Sequence, residues 1–130
     1  EEIFTLINKD KKSIHLEKFI KFPKSFENEK LNKKWVELKK IRDICNISIE
    51  AKRARKEIGS SLEAEIIISL DKKLLDTTKD VDFSELCITS KAEIKYHNEP
   101  DTIATTTKAL GHKCPICWKI SVSSCIRHPE

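Results

Sequence analysis

Cys114, Cys117, Cys125 and His128 fall in the pattern C-x2-C-x7-C-x2-H. No other feature limits the fold so tightly. A C-x2-C turn sets two thiolates at the separation that one tetrahedral ion needs, and a second half-site closes the tetrahedron. Thiolate plus imidazole is a donor set that zinc favours, and a closed four-ligand site is structural rather than catalytic. One structural zinc ion on Cys114, Cys117, Cys125 and His128 is therefore expected. Pro115 fixes one residue of the first turn and presets the knuckle. The spacing leaves three alternatives: His112 as fourth ligand in place of His128, a metal-free set of reduced thiols, and a redox pair. The redox pair fits least well, because Cys-Pro-Ile-Cys does not stand between a strand and a long helix.

The chain has 130 residues and five cysteines. An odd number cannot pair completely within one chain, so reduced thiols and a cytoplasmic setting are expected. Cys45 and Cys87 lie in apolar patterns and read as small core residues. Two glycines, Gly59 and Gly111, are too few and too far apart for a phosphate loop or a dinucleotide fingerprint. No apolar run approaches the roughly 18 residues of a membrane span, and Glu1-Glu2-Ile3-Phe4 is not a signal peptide. No membrane partner is expected, and no catalytic or cofactor-binding residue is assigned. Apolar residues make up 38% and charged residues 35%, which implies a modest core under a heavily charged surface.

Periodicity predicts a long helix over residues 29–58. Leu31, Trp35, Leu38, Ile41, Cys45 and Ile49 recur at spacings of three and four. Ile44, Ile47, Ala51 and Ala54 form a second apolar strip, which predicts packing on two sides and places Trp35 in the core. Asn28 or Asn32 is expected to cap the start, and Gly59 to end the helix in the left-handed conformation. Residues 1–7 read as the last turns of a helix begun elsewhere, as expected of a fragment. Residues 8–30 read as an extended connector pinned to a neighbour by Phe19, Phe22 and Phe26. Beyond Gly59 the pattern turns to strands at residues 62–70, 88–96 and 102–109, with short helical pieces at 71–75 and 83–87. The expected class is α+β: a long basic helix, then a small sheet-containing module, then a zinc-knuckle-like segment.

Charge is uneven along the chain. Residues 1–60 hold 16 Lys/Arg against 10 Asp/Glu, and residues 61–130 hold 9 against 11, within a formal net charge of +4. A basic half beside a mildly acidic half orients a polyanion; the plainer reading is a solvated, lysine-rich helix face.

Trp35 to Leu70 resembles the C-terminal part of bacterial isoleucyl-tRNA synthetases. There a tryptophan precedes a helix with E-x-x-R-x-x-K-x-I-G-x-S-L-E-A, here Glu50, Arg53, Lys56, Ile58, Gly59, Ser61, Leu62, Glu63 and Ala64. Lys113-Cys114-Pro115-Ile116-Cys117-Trp118 is similar to that family's K-C-x-R-C-W finger, and Leu86-Cys87-Ile88-Thr89-Ser90 to its lead into a strand. The departures are a spacer of only seven residues, His128 where a fourth cysteine is usual, and Ile116 where the family has arginine.

The resemblance implies a tRNA-binding appendage of a larger isoleucine–tRNA ligase, with tRNA(Ile) and the remaining domains of the same synthetase as partners. ATP would belong to the catalytic domain, whose HIGH-like and KMSKS-like motifs do not occur here. The fragment alone is then inactive and expected to be a monomer. The implied organisation is residues 1–59 as the end of an anticodon-binding helical domain with connector and long helix, 60–110 as a small α+β junction module, and 111–130 as the finger. Lys39, Arg42, Lys52 and Arg53 are the candidates for phosphate contacts, which position RNA without reading sequence. Trp118 is the candidate for base stacking. Arg53 and Arg55 can instead pair with Glu50, Glu57 or Glu63. The alternative function is a structural or protein-interaction module that braces a multidomain enzyme without touching RNA. A DNA-binding role is not expected, because no recognition helix follows the cysteines.

Overall fold

The computed structural model describes residues 1–10 and 12–128. Two residues of the predicted 111–130 finger segment, Pro129 and Glu130, lie outside the described residues. The class is α+β: one long helix lies across a small mixed sheet, and a two-stranded knuckle follows.

Helix α1 spans Glu2–Ile7. The connector beyond it holds two single 3-10 turns, Ile14–Leu16 and Lys24–Phe26. Among the described residues its aromatics are largely open: Phe19 is fully exposed, Phe22 and Phe26 are exposed, and the rings of the latter two lie 6.4 Å apart.

Helix α2 spans Glu29–Ala54. Of the two predicted caps it uses Asn28, whose Oδ1 accepts the Leu31 N–H at 2.9 Å. Leu38, Ile41, Cys45 and Ile49 are its buried stripe. Two expectations fail here, for one geometric reason. A 26-residue helix is about 39 Å long, whereas a seven-residue strand reaches only about 23 Å. The first turns of α2 therefore overhang the sheet. Trp35 is 42% exposed rather than in the core, and Leu31 is exposed with it. The sheet also covers one side only, so Ile47, Ala51 and Ala54 of the second strip face solvent and Ile44 is half-buried.

The end of α2 corrects a third expectation. Glu57 N–H bonds to the Lys52 carbonyl at 3.1 Å and Lys56 N–H to that of Arg53 at 2.9 Å, the paired bonds of a Schellman motif. Its left-handed residue is Lys56, at φ 59°, and not Gly59. The helix thus ends before the motif glycine. The Gly59 N–H instead bonds to Glu63 Oε2 at 2.9 Å.

Strand β1 (Ala64–Leu70) is central, with β2 (Lys91–Tyr96) parallel on one side and β3 (Ile103–Lys108) antiparallel on the other. Ala64, Ile66, Ile68 and Leu70 are buried on one face, as alternation requires, and Ile67 falls on the opposite, half-open face. Ile66 is in register with Ala92 and Thr106, and Ile68 with Ile94 and Ala104. These residues meet the α2 stripe to form the core. Thr106 Oγ1 donates to Ser48 Oγ of α2 at 2.8 Å, so the buried hydroxyl has a partner.

The crossover from β1 to β2 carries α3 (Lys72–Thr78) and α4 (Phe83–Leu86). Asp71 and Asp82 cap them, accepting N–H groups of Leu74 and of Ser84 and Glu85. Phe83 and Cys87 are buried here, and both Cys87 and Cys45 belong to the core, as predicted for each. A hydrogen bond to Cys87, together with burial, pushes the Cys45 thiol up and keeps it protonated. Among the described residues no helix is long and apolar enough to cross a membrane.

Candidate metal centre and nucleic-acid face

The knuckle is built on β4 (His112–Lys113) and β5 (Ile120–Ser121), which pair antiparallel. Cys114 N–H donates to the Lys119 carbonyl at 2.9 Å, and Trp118 N–H donates to the Cys114 carbonyl at 3.0 Å. These two bonds close the Cys-Pro-Ile-Cys turn. Trp118 pays for the closure with φ 64°, a left-handed backbone that favours glycine. Gly111 enters the knuckle at φ 121°, and a Cβ there would stand 2.1 Å from the Ser121 carbonyl oxygen. Only glycine allows β5 to approach so closely.

The ligand atoms of Cys114, Cys117, Cys125 and His128 all lie within 4.8 Å of one another. Cys117 Sγ to Cys125 Sγ is 3.6 Å, and His128 Nδ1 is 3.6 Å from the Sγ of both Cys114 and Cys125. A tetrahedron with metal–sulfur bonds of about 2.3 Å has edges of about 3.8 Å. The predicted quartet therefore fits one metal ion, with His128 facing it through Nδ1. His112 is exposed in β4, outside the quartet. Cys114 is buried, and N–H groups of Cys117 and Ile116 pointed at its sulfur lower its thiol to about 6. Cys117 accepts the Lys119 N–H, yet burial and the neighbouring thiols of Cys125 and Cys114 push it up. A thiolate already favoured at one corner suits a cation.

The knuckle is fastened to the sheet module through three residues that the sequence reading did not single out for this role. Glu85 of α4 binds both Lys119 and Arg127, the latter at 2.8 Å. Ser90 Oγ accepts the Ile120 N–H at 2.6 Å and donates to the Leu62 carbonyl. Glu63 lies 3.7 Å from Lys113 Nζ, and its carbonyl accepts the Ala109 N–H at 2.8 Å. The available signal was the three cations Lys113, Lys119 and Arg127 around the knuckle, which call for carboxylates nearby.

That pairing leaves an apolar outer surface. Ile116, Trp118, Val122 and Ile126 are all exposed, with Trp118 at 59%. Lys113 Nζ lies 5.8 Å from the centre of the Trp118 ring, a cation–π contact.

The four candidate phosphate contacts do not stand together. Lys39 and Arg42 share one flank of α2, and Arg53 lies further along it. Lys52, one position from Arg53, is turned about 100° away. Arg42 is half-buried, and its Nε donates to the Leu86 carbonyl at 3.0 Å. Arg53 pairs with Glu50 and Lys52 with Glu57, each at 2.7 Å. Lys39 is exposed and has no ion pair among the described residues.

No protein-family profile matches the chain. It is 65% identical over 130 residues to the isoleucine–tRNA ligase of Pelagibacter ubique (strain HTCC1062), covering all of this chain and 14% of that protein. It is 34% identical over 119 residues to the isoleucine–tRNA ligase of Zymomonas mobilis subsp. mobilis, covering 92% of the chain and 12% of the relative. With that of Methylacidiphilum infernorum the identity is 37% over 110 residues, covering 85% and 12%. The chain is thus similar, from end to end in the first case and over most of its length in the other two, to one segment of relatives of which it spans only 12–14%.

Proposed function

We propose that this chain is the tRNA-binding part of an isoleucine–tRNA ligase and helps to hold the anticodon arm of tRNA(Ile). The full-length enzyme would join isoleucine to that tRNA with ATP in the cytoplasm, and ATP would bind in the catalytic part, outside this segment. The observation that carries the reading is an exposed Trp118 on a Cys3His knuckle, in a chain similar throughout to isoleucine–tRNA ligases.

Zinc fits the four donors by softness and spacing. When bound, it serves as a structural cross-link. Cys114, Cys117, Cys125 and His128 would hold it, and residues 111–130 would then form a rigid platform for the indole. One face of Trp118 meets Lys113, which leaves the other for an unstacked base of an RNA loop. Because Glu63 and Glu85 neutralise the knuckle's cations, its contribution is stacking. Phosphate contacts come from α2, through Lys39 and the guanidinium Nη groups of Arg42, with Lys52 and Arg53 released from their acidic partners. Residues 1–59 would continue the helical part of the longer enzyme, and residues 60–110 would set the knuckle against it.

A second reading, a brace between domains without RNA contact, is favoured by the exposed strip Ile47, Ala51 and Ala54 and by the exposed connector aromatics. Titration of the zinc-loaded chain with tRNA(Ile), beside Trp118→Ala and Arg42→Ala, separates the two. RNA binding predicts that Trp118→Ala weakens affinity about 5- to 150-fold, the worth of one stacked base. If neither variant changes the affinity, the proposed surface is wrong and the brace gains.

A further inference from the structure

We propose that Trp35 is a second base-stacking residue for the same RNA, flanked by Lys39 and Arg42 on one side of α2. The inference rests on the tRNA-binding proposal above and adds a site to it. Trp35 is 42% exposed on the stretch of α2 that overhangs the sheet. Lys39 and Arg42 follow it at spacings of four and seven, so the three side chains line one flank. An aromatic ring among cations is the pattern that binds unpaired nucleotides: bases stack on the ring while the cations track phosphates.

The same flank leads to the knuckle. Arg42 Nε bonds to the carbonyl of Leu86, and Glu85, the residue before it, holds Lys119 and Arg127. Arg42 and the knuckle cations Lys119 and Arg127 are thus tied to the same short helix, α4. Several carboxylates near this flank are occupied: Asp80 by Lys34, Glu50 by Arg53 and Glu85 by two knuckle cations. Asp43 remains the exposed acidic neighbour at its edge. The apolar strip of Ile47, Ala51 and Ala54 faces elsewhere on the helix, so Trp35 does not belong to it. The occupant that fits is an unpaired nucleotide with its phosphate.

Trp35 and Trp118 are the chain's two tryptophans, so each can be observed alone. In zinc-loaded Trp118→Phe protein, titration with tRNA(Ile) is expected to quench Trp35 emission saturably. In an otherwise native chain, Trp35→Ala should weaken binding about 5- to 100-fold, and Trp35→Phe should restore most of it. Trp35 emission that stays unchanged while Trp118 emission in Trp35→Phe is quenched overturns the inference and leaves the knuckle reading standing. Quenching of Trp35 without any loss of affinity in Trp35→Ala overturns it as well. If the native chain does not bind the tRNA at all, both readings fall together.

Discussion

Glu85 Oε1 lies 2.8 Å from Arg127 Nη2 and also binds Lys119, so one carboxylate on α4 gathers two cations from either side of strand β5 of the knuckle. The two cations in turn hold the Glu85 carboxyl below the usual carboxylate range, Lys119 most strongly. Glu85 is thus one of three anchors, with Ser90 and Glu63, that set the knuckle on the sheet module. Glu85→Ala is expected to raise amide hydrogen exchange across residues 119–128 while leaving β1 protected. Unchanged exchange there would show that Ser90 and Glu63 suffice as anchors.

Removal of metal should act locally. The main core is Leu38, Ile41, Cys45, Ile49, Ile66 and Ile68 with their neighbours, and none of the four candidate metal ligands belongs to it. A strong chelator, or Cys117→Ser, is predicted to abolish stoichiometric zinc and loosen residues 111–128, with helical circular dichroism nearly unchanged. Loss of the helical signal on chelation would mean that the metal supports the whole fold.

Lys56 holds a left-handed backbone that costs a non-glycine residue roughly 1–2 kcal/mol. Part of any gain from Lys56→Gly is lost to the freer unfolded chain, and a net stabilisation of about 0.5–1 kcal/mol is expected in urea unfolding. A destabilised variant would show that the side chain matters more than its backbone.

Such positions explain part of what could be read from the sequence and what could not. The buried stripe of α2 and the cap at Asn28 followed from helical periodicity and local hydrogen bonding. So did the alternation of β1 and the quartet Cys114, Cys117, Cys125 and His128, because each is a short-range pattern. Exposure of Trp35 and Ile47 was not legible, since it depends on how much of α2 a three-stranded sheet covers. Nor was the end of α2. Left-handed turns usually carry glycine, but here Lys56, Ile88 and Trp118 occupy them in a chain with two glycines. Gly59 drew the predicted boundary too far along the chain. The anchors Glu63, Glu85 and Ser90 depend on long-range pairing that no local pattern encodes.

Glu63 gives a pH signature. The Gly59 N–H, followed by the charges of Lys113 and Lys108, holds its carboxyl below the ordinary value of 4.5. A depressed folded value means that its contribution is present above the unfolded pKa and is lost as pH falls through the folded one. Glu63→Gln should therefore be less stable than the native chain at pH 7, with the gap closing as pH falls below the ordinary carboxyl value of 4.5. A gap independent of pH would show that shape rather than charge is responsible.

The central claim is that this surface binds RNA through phosphate contacts on α2 and stacking at the knuckle. Its most direct measurement is the affinity of the zinc-loaded chain for tRNA(Ile) across salt concentrations. The four phosphate contacts of Lys39, Arg42, Lys52 and Arg53 predict that log K falls with log[salt] at a slope of about −3 to −4. A residual, nearly salt-independent contribution should shrink in Trp118→Ala. Absence of binding at low salt, or a slope near zero, would contradict the account.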